Sequence, residues 1–191
     1  MSGRSGRLTV KIILVLFIAA AMIAGLIGYR MMHMKKVSDE AEMVLQAMYQ
    51  IVPDLGRETD VQSGDGQDPL PAMTINNIDI VGCLEVPSID LTAPVTAKSE
   101  ARAGFVYYVS GSAVKGGLML SGSKGDVFSR IASLKPGSKA AFTDMDGVRY
   151  TYRVLTQFHL KKWDKADYDL MLYYNTDSKT RFVVGLNRDP N

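Results

Sequence analysis

Only one cysteine, Cys83, occurs among the 191 residues. One cysteine excludes an intrachain disulfide, so an exported domain with this sequence must stand on its packed core. Histidine is nearly as scarce, with only two, His33 and His159. That inventory supplies no Cys/His cluster with zinc-ligand spacing, and neither a metal nor a cofactor is expected. Charge of one sign is also lacking. The formal net charge is +2, and no basic stripe interleaved with aromatics occurs, so no nucleic-acid partner is expected. Internal repeats and low-complexity tracts are absent. What remains is a sequence with 47% hydrophobic residues, enough for one ordinary folded domain plus accessory segments.

One long apolar run is present. Between Lys11 and Arg30 no charged residue occurs, and the resulting stretch, 12–29, is about the minimum that spans a bilayer as a helix. Arg4, Arg7 and Lys11 precede it, leaving 1–11 as a short basic N-terminus. Ala19-Ala20-Ala21 offers small residues for signal cleavage. The apolar run continues beyond them through Met22-Ile23 and Leu26-Ile27, longer than a usual signal-peptide core, which favours an uncleaved transmembrane anchor. Arg30, Lys35 and Lys36 lie just past the span, so flanking charge does not set its orientation.

Residues 37–52 have the pattern of a juxtamembrane helix. Ser38 is placed to cap it, Asp39 and Glu40 suit its first turn, and Pro53 stops it. Ala41, Val44, Leu45, Met48 and Val52 recur at helical spacing and form one apolar face. Such a face is expected to pack on its own domain; pairing with a partner's helix near the membrane is the alternative. Residues 53–72 are read as a linker, since Gly56, Gly64, Gly66, Pro69 and Pro71 sit among polar residues with little apolar material.

From Met73 to the end, 73–191, the pattern is one of short strands. Ile80, Leu84 and Val86 share a face at period two before Pro87. Strands are expected at Phe105–Val109, Gly117–Ser121, Lys139–Thr143, Val148–Phe158, Tyr168–Tyr173 and Arg181–Leu186. Asp126 is placed to cap a short helix carrying Val127, Ile131 and Leu134, closed by Pro136-Gly137. Asp144-Met145-Asp146-Gly147 carries the Asp-Gly signal of a hairpin, a better account of the two acids than a catalytic pair. Many short strands with one or two short helices argue for a mainly β fold, a barrel or a sandwich.

Several stretches are specific in their order and spacing. Gly117-Leu118-Met119-Leu120-Ser121-Gly122-Ser123-Lys124 is followed by Phe128–Leu134 and Pro136-Gly137, then by Thr143–Val154. Leu170-Met171-Leu172-Tyr173-Tyr174-Asn175 and Thr180-Arg181-Phe182-Val183-Val184 lie near the C-terminal end. Together with Asp79–Pro94, this resembles the sortases, membrane-anchored cysteine transpeptidases of bacterial cell surfaces, and among them classes B and D most. The resemblance runs over Ile78–Arg188 and implies a closed β-barrel outside the cell, carried by a single-pass anchor with a cytoplasmic N-terminus.

The family's Gly-His pair falls at Gly122-Ser123, its Cys at Asn175 and its Arg at Arg181. The resemblance therefore implies a scaffold without two of its three catalytic groups. An amide such as Asn175 is no useful nucleophile, and Ser123 cannot replace an imidazole that titrates near neutral pH. Arg181 retains a planar fork able to bind a carboxylate or carbonyl, although an Arg opening a strand can equally make a surface ion pair. The expected role is to bind a sorting-signal peptide, a pilin or an active partner sortase at a groove formed by Ser123, Asn175, Arg181 and Tyr174. Tyr107, Tyr108 and Tyr173 are further groove candidates, with packing inside strands as the alternative. An active transpeptidase with a displaced nucleophile, drawn from Cys83, His159 and Arg181, is the competing reading. Against it, a cysteine in mid-strand is usually a small buried hydrophobe.

Overall fold

The computed structural model describes residues 21–22, 39–52, 70–97, 102–161 and 168–189. Apart from Ala21 and Met22, the anchor expected at 12–29 lies outside the described residues, as does the linker expected at 53–72 apart from its last three positions. Among the described residues no helix is long and apolar enough to cross a membrane.

Among the described residues nine strands make up most of the fold: β1 (Met73–Ile75), β2 (Ile78–Val86), β3 (Leu91–Thr96), β4 (Val106–Ser112), β5 (Gly116–Ser121), β6 (Lys139–Asp144), β7 (Arg149–Leu160), β8 (Leu170–Asn175) and β9 (Arg181–Arg188). They form a sheet of order β1-β2-β3-β4-β5-β8-β9-β7-β6, and β6 also pairs with β2. The β3–β4 and β5–β8 ladders are parallel and the others antiparallel. The β2–β6 ladder requires close approach. A Cβ on Gly82 would stand 2.3 Å from the Thr143 carbonyl oxygen, so only glycine fits there.

Inward-facing side chains alternate along the strands. Leu118 and Leu120, Leu170 and Leu172, and Val184 and Leu186 meet Leu84, Phe128, Phe142 and Tyr150 in the main core. The period-two reading of β2 is corrected at one point. Ile80 does not share a face with Leu84 and Val86: it belongs to a second cluster, while those two face the main core. The register shift between Ile80 and Gly82 is the cause, because a bulge residue reverses the alternation beyond it.

The second cluster joins the helix to the sheet. Residues 39–51 are helical, here α1, and bury Ala41, Val44, Met48 and, just beyond, Val52 against Ile75, Ile78, Ile80, Cys83, Phe105 and Met145, with Leu45 alongside. The apolar stripe of the helix thus covers its own domain. Its other side leaves Met43 and Ile51 in solvent.

The connection after β5 departs from expectation. Residues 124–130 are turns, and only Ile131–Ser133 forms a 3-10 helix. Asp126 is not a helix cap; its carboxylate accepts the Gly104 N–H across the connection at 2.5 Å. In the β6–β7 hairpin, the Asp144 carboxylate accepts the N–H groups of Asp146 at 3.0 Å and Val148 at 2.9 Å, the turn role read from its sequence.

Candidate functional site: a pocket at the ends of β5 and β8

Side chains on β8 alternate between two faces. Leu170, Leu172 and Tyr174 enter the main core, while Met171 and Tyr173 join Val183 in a separate cluster on the other face. By that alternation Asn175 lies on the face of Tyr173. On β9, Phe182 points to the core and Val183 to the opposite face, which places Arg181 on the same side as Asn175. The two residues are direct partners in the antiparallel ladder. Pairing of neighbouring strands therefore sets residues six apart in sequence side by side.

Ser123 reaches this end of the sheet through Gly122. The Gly122 N–H donates to the Tyr173 carbonyl at 3.2 Å. A Cβ on Gly122 would stand 2.7 Å from Val127 and 2.8 Å from Phe128, so glycine lets the following turn fold tightly against the strand end. Ser123 then anchors that turn through its carbonyl, which accepts the Phe128 N–H at 2.9 Å, and its own side chain is exposed.

A pocket of about 480 Å3 opens here, lined by Ser123, Asn175, Tyr107, Phe105, Lys124 and Arg102, with Ala103, Gly122, Gly125 and Asp126 completing the wall. The structure brings two expected residues, Ser123 and Asn175, to one cavity, with Arg181 beside Asn175 in the ladder. Tyr174 is not brought there. Its ring stacks on Phe182 at 5.2 Å in the main core, and the Lys124 ammonium stands 5.8 Å from its centre.

Of the other tyrosines, Tyr107 lines the pocket and Tyr108 donates to the Gly111 carbonyl at 2.8 Å. Tyr107 is held by the fully buried Ser121, whose hydroxyl is hydrogen-bonded to the Tyr107 hydroxyl at 2.9 Å and donates to the Tyr173 carbonyl at 3.1 Å. Burial pushes the Tyr173 phenol above its ordinary pKa, with a side-chain hydrogen bond between the phenol and Ser121 and the charge of Arg181 acting in the opposite direction. The Tyr173 phenol is a neutral group at physiological pH.

Among the described residues lining this pocket there is neither a thiol nor an imidazole. Cys83 is fully buried in the cluster beneath α1, and burial raises its thiol pKa well above the ordinary range, the reverse of what a nucleophile needs. His159 lies at the far end of β7, exposed, with its ring edge-on to Phe182 at 5.4 Å. His159 and Arg181 lie in adjacent pairs of the β7–β9 ladder, whereas Cys83 pairs with Pro94 and Thr143 in the β2–β3 and β2–β6 ladders, so the candidate thiol stands in other ladders than the other two.

Sequence reasoning missed Arg102, Phe105 and Lys124 as pocket residues. Arg102 and Phe105 belong to the segment entering β4, and no local pattern marks them. The β4–β5 ladder, in which Tyr107 pairs with Ser121, and the Gly104–Asp126 hydrogen bond bring that segment beside the turn after β5.

Comparison with known proteins places this architecture. Sortase C1 from Streptococcus agalactiae superposes with a TM-score of 0.52 at 21% identity, over 78% of this chain and 90% of that one. Sortase A from Corynebacterium diphtheriae superposes with a TM-score of 0.51 at 17% identity, over 83% and 85%. No family model and no curated protein sequence matches. The protein has the sortase fold.

Proposed function

We propose that the protein is a membrane-anchored, sortase-like component of the bacterial cell surface that binds instead of cleaving. In this reading the span at 12–29 is a single-pass anchor, the N-terminus is cytoplasmic and the strand-rich domain is extracellular. The β2–β6 ladder supports treating the sheet as a closed barrel. The ligand is a sorting-signal peptide, a pilin segment or a partner sortase, held at the pocket of Ser123, Asn175 and Tyr107 with Arg181 at its edge.

The observation that carries the reading is the meeting of Ser123 and Asn175 in one pocket. These are the positions where the sortase resemblance expects the His and the Cys, and their side chains offer hydroxyl and amide groups. Such groups can satisfy the N–H and C=O groups of an extended peptide. They provide neither an activated nucleophile nor a base poised near neutral pH.

Installing Ser123→His together with Asn175→Cys tests the placement. The double variant is expected to gain a thiol reactive toward alkylating reagents at neutral pH, because a histidine close to a cysteine favours the thiolate. The native protein, incubated with pooled sorting-signal peptides and an amine acceptor, is expected to bind peptide without cleaved or joined products by mass spectrometry. Products from the native protein that vanish in Cys83→Ala would overturn the reading.

A further inference from the structure

Among the described residues the pocket is lined by two cations, Arg102 and Lys124, and by one carboxylate, Asp126. Asp126 is engaged, since its Oδ2 accepts the Gly104 N–H at 2.5 Å. Arg102 meets an internal carboxylate: its Nη1 stands 3.2 Å from Oε1 of Glu40 on α1. The two side chains are 37% and 35% exposed, so water reaches both partners. An ion pair this open to solvent is weak and readily exchanged. A guanidinium in the wall of a cavity that a lysine also lines has the donor geometry for a planar carboxylate.

From this we infer that the pocket takes a carboxylate of its ligand on Arg102, with Lys124 as second cation, and that Glu40 occupies Arg102 until that carboxylate displaces it. This deepens the binding reading of the same pocket, on which it rests, by naming a chemical class for one part of the ligand. The exchange is local. Val44, Met48 and Val52 remain buried against the sheet, so α1 stays docked when Glu40 lets go. Phe105 belongs both to the cluster under α1 and to the pocket wall, which keeps the Arg102 segment in place during the exchange. The carboxylate can come from an acidic side group or from the C-terminus of a peptide, and both present the same planar anion.

The test uses the full-length protein, labelled with nitrogen-15, and three small probes followed by NMR. N-acetyl-glutamate N-methylamide carries the carboxylate of an acidic residue, N-acetyl-alanine a terminal one, and N-acetyl-glutamine N-methylamide is the neutral control. At least one acidic probe is expected to shift the amides of Gly104, Ser123 and Lys124 saturably, with no saturable shift from the neutral control. Which acidic probe binds more tightly names the source. Glu40→Gln removes a competing anion and is expected to tighten acidic-probe binding by about three- to fivefold, the range of an exposed ion pair. Arg102→Gln is expected to abolish it.

The inference is overturned if neither acidic probe shifts these amides in the native protein or in Glu40→Gln. It is equally overturned if Glu40→Gln leaves affinity unchanged or lowers it, or if Arg102→Gln binds as the native protein does. Failure of the peptide-binding reading has a different signature: acidic probes bind, while sorting-signal peptides do not.

Discussion

Two methionines on one helix provide a direct measure of what α1 does. Met48 is fully buried beside Ile75, Ile80, Phe105 and Met145, while Met43 is 54% exposed. Truncating a buried methionine to alanine loses its transfer free energy and leaves a cavity, about 2–5 kcal/mol in well-packed sites. At Met43 the same change removes no buried contact and slightly favours the helix, so its effect should stay within about 0.5 kcal/mol. Urea unfolding of the full-length protein separates the two. With a slope of about 2 kcal/mol/M, Met48→Ala should lower the midpoint by roughly 1 M or more while Met43→Ala leaves it nearly in place. The slope itself should be unchanged, since the same surface is exposed on unfolding. Equal midpoints for the two variants would refute the packing of α1 on the sheet. They would reopen the alternative in which its apolar face serves a partner's helix. A fragment beginning at Pro53 would expose Ile75, Ile78 and Ile80, so binding experiments require a protein that keeps residues 39–52.

Further outcomes follow from burial and charge elsewhere. Cys83 should resist thiol reagents in the native state and react only on unfolding, so its labelling rate should track denaturant concentration; rapid native labelling would contradict its burial. Burial raises the Asp144 carboxyl above its ordinary pKa, with hydrogen bonds from Val148, Asp146 and Tyr150 opposing the shift. The folded state therefore holds that proton more tightly than the unfolded polypeptide does. The stabilisation is full below the unfolded pKa and is lost as pH rises through the folded value. Asp144→Asn should flatten that part of the stability–pH curve, measured by thermal melts across the acid range; an unchanged slope would show that Asp144 titrates normally. Gly82→Ala should destabilise strongly, since the new methyl group would collide with the Thr143 carbonyl, and a wild-type melting temperature would count against the β2–β6 register.

Much of the architecture was legible in the sequence because its signals are local. Alternation marked the strands, Pro87 and the Asp-Gly pair marked their ends, and the stripe Ala41–Val52 marked the buried face of α1. The order of Gly122-Ser123, Asn175 and Arg181 along the last strands was enough to suggest the sortase likeness, and with it two pocket residues. Local signals failed where the outcome depended on a distant neighbour. The bulge beside Val81 puts Ile80 on the α1 side and Leu84 and Val86 on the other, a shift visible only in the pairing of β2 with β3. Asp126 follows the pattern of a helix cap, yet its carboxylate is used by Gly104, 22 residues away. Tyr174 is adjacent to Asn175 in sequence, but the period-two pleat sends it into the core.

By itself the sequence determined the class of fold, the buried stripe of the helix and the scarcity of thiol and imidazole groups. These depend on residue type and spacing alone. Only the tertiary structure decided that Arg102, Phe105, Tyr107 and Lys124 share a pocket with Ser123 and Asn175, and that Glu40 pairs with Arg102. Those contacts join segments far apart in the sequence, and their partners are chosen by strand order and register, which no local pattern encodes.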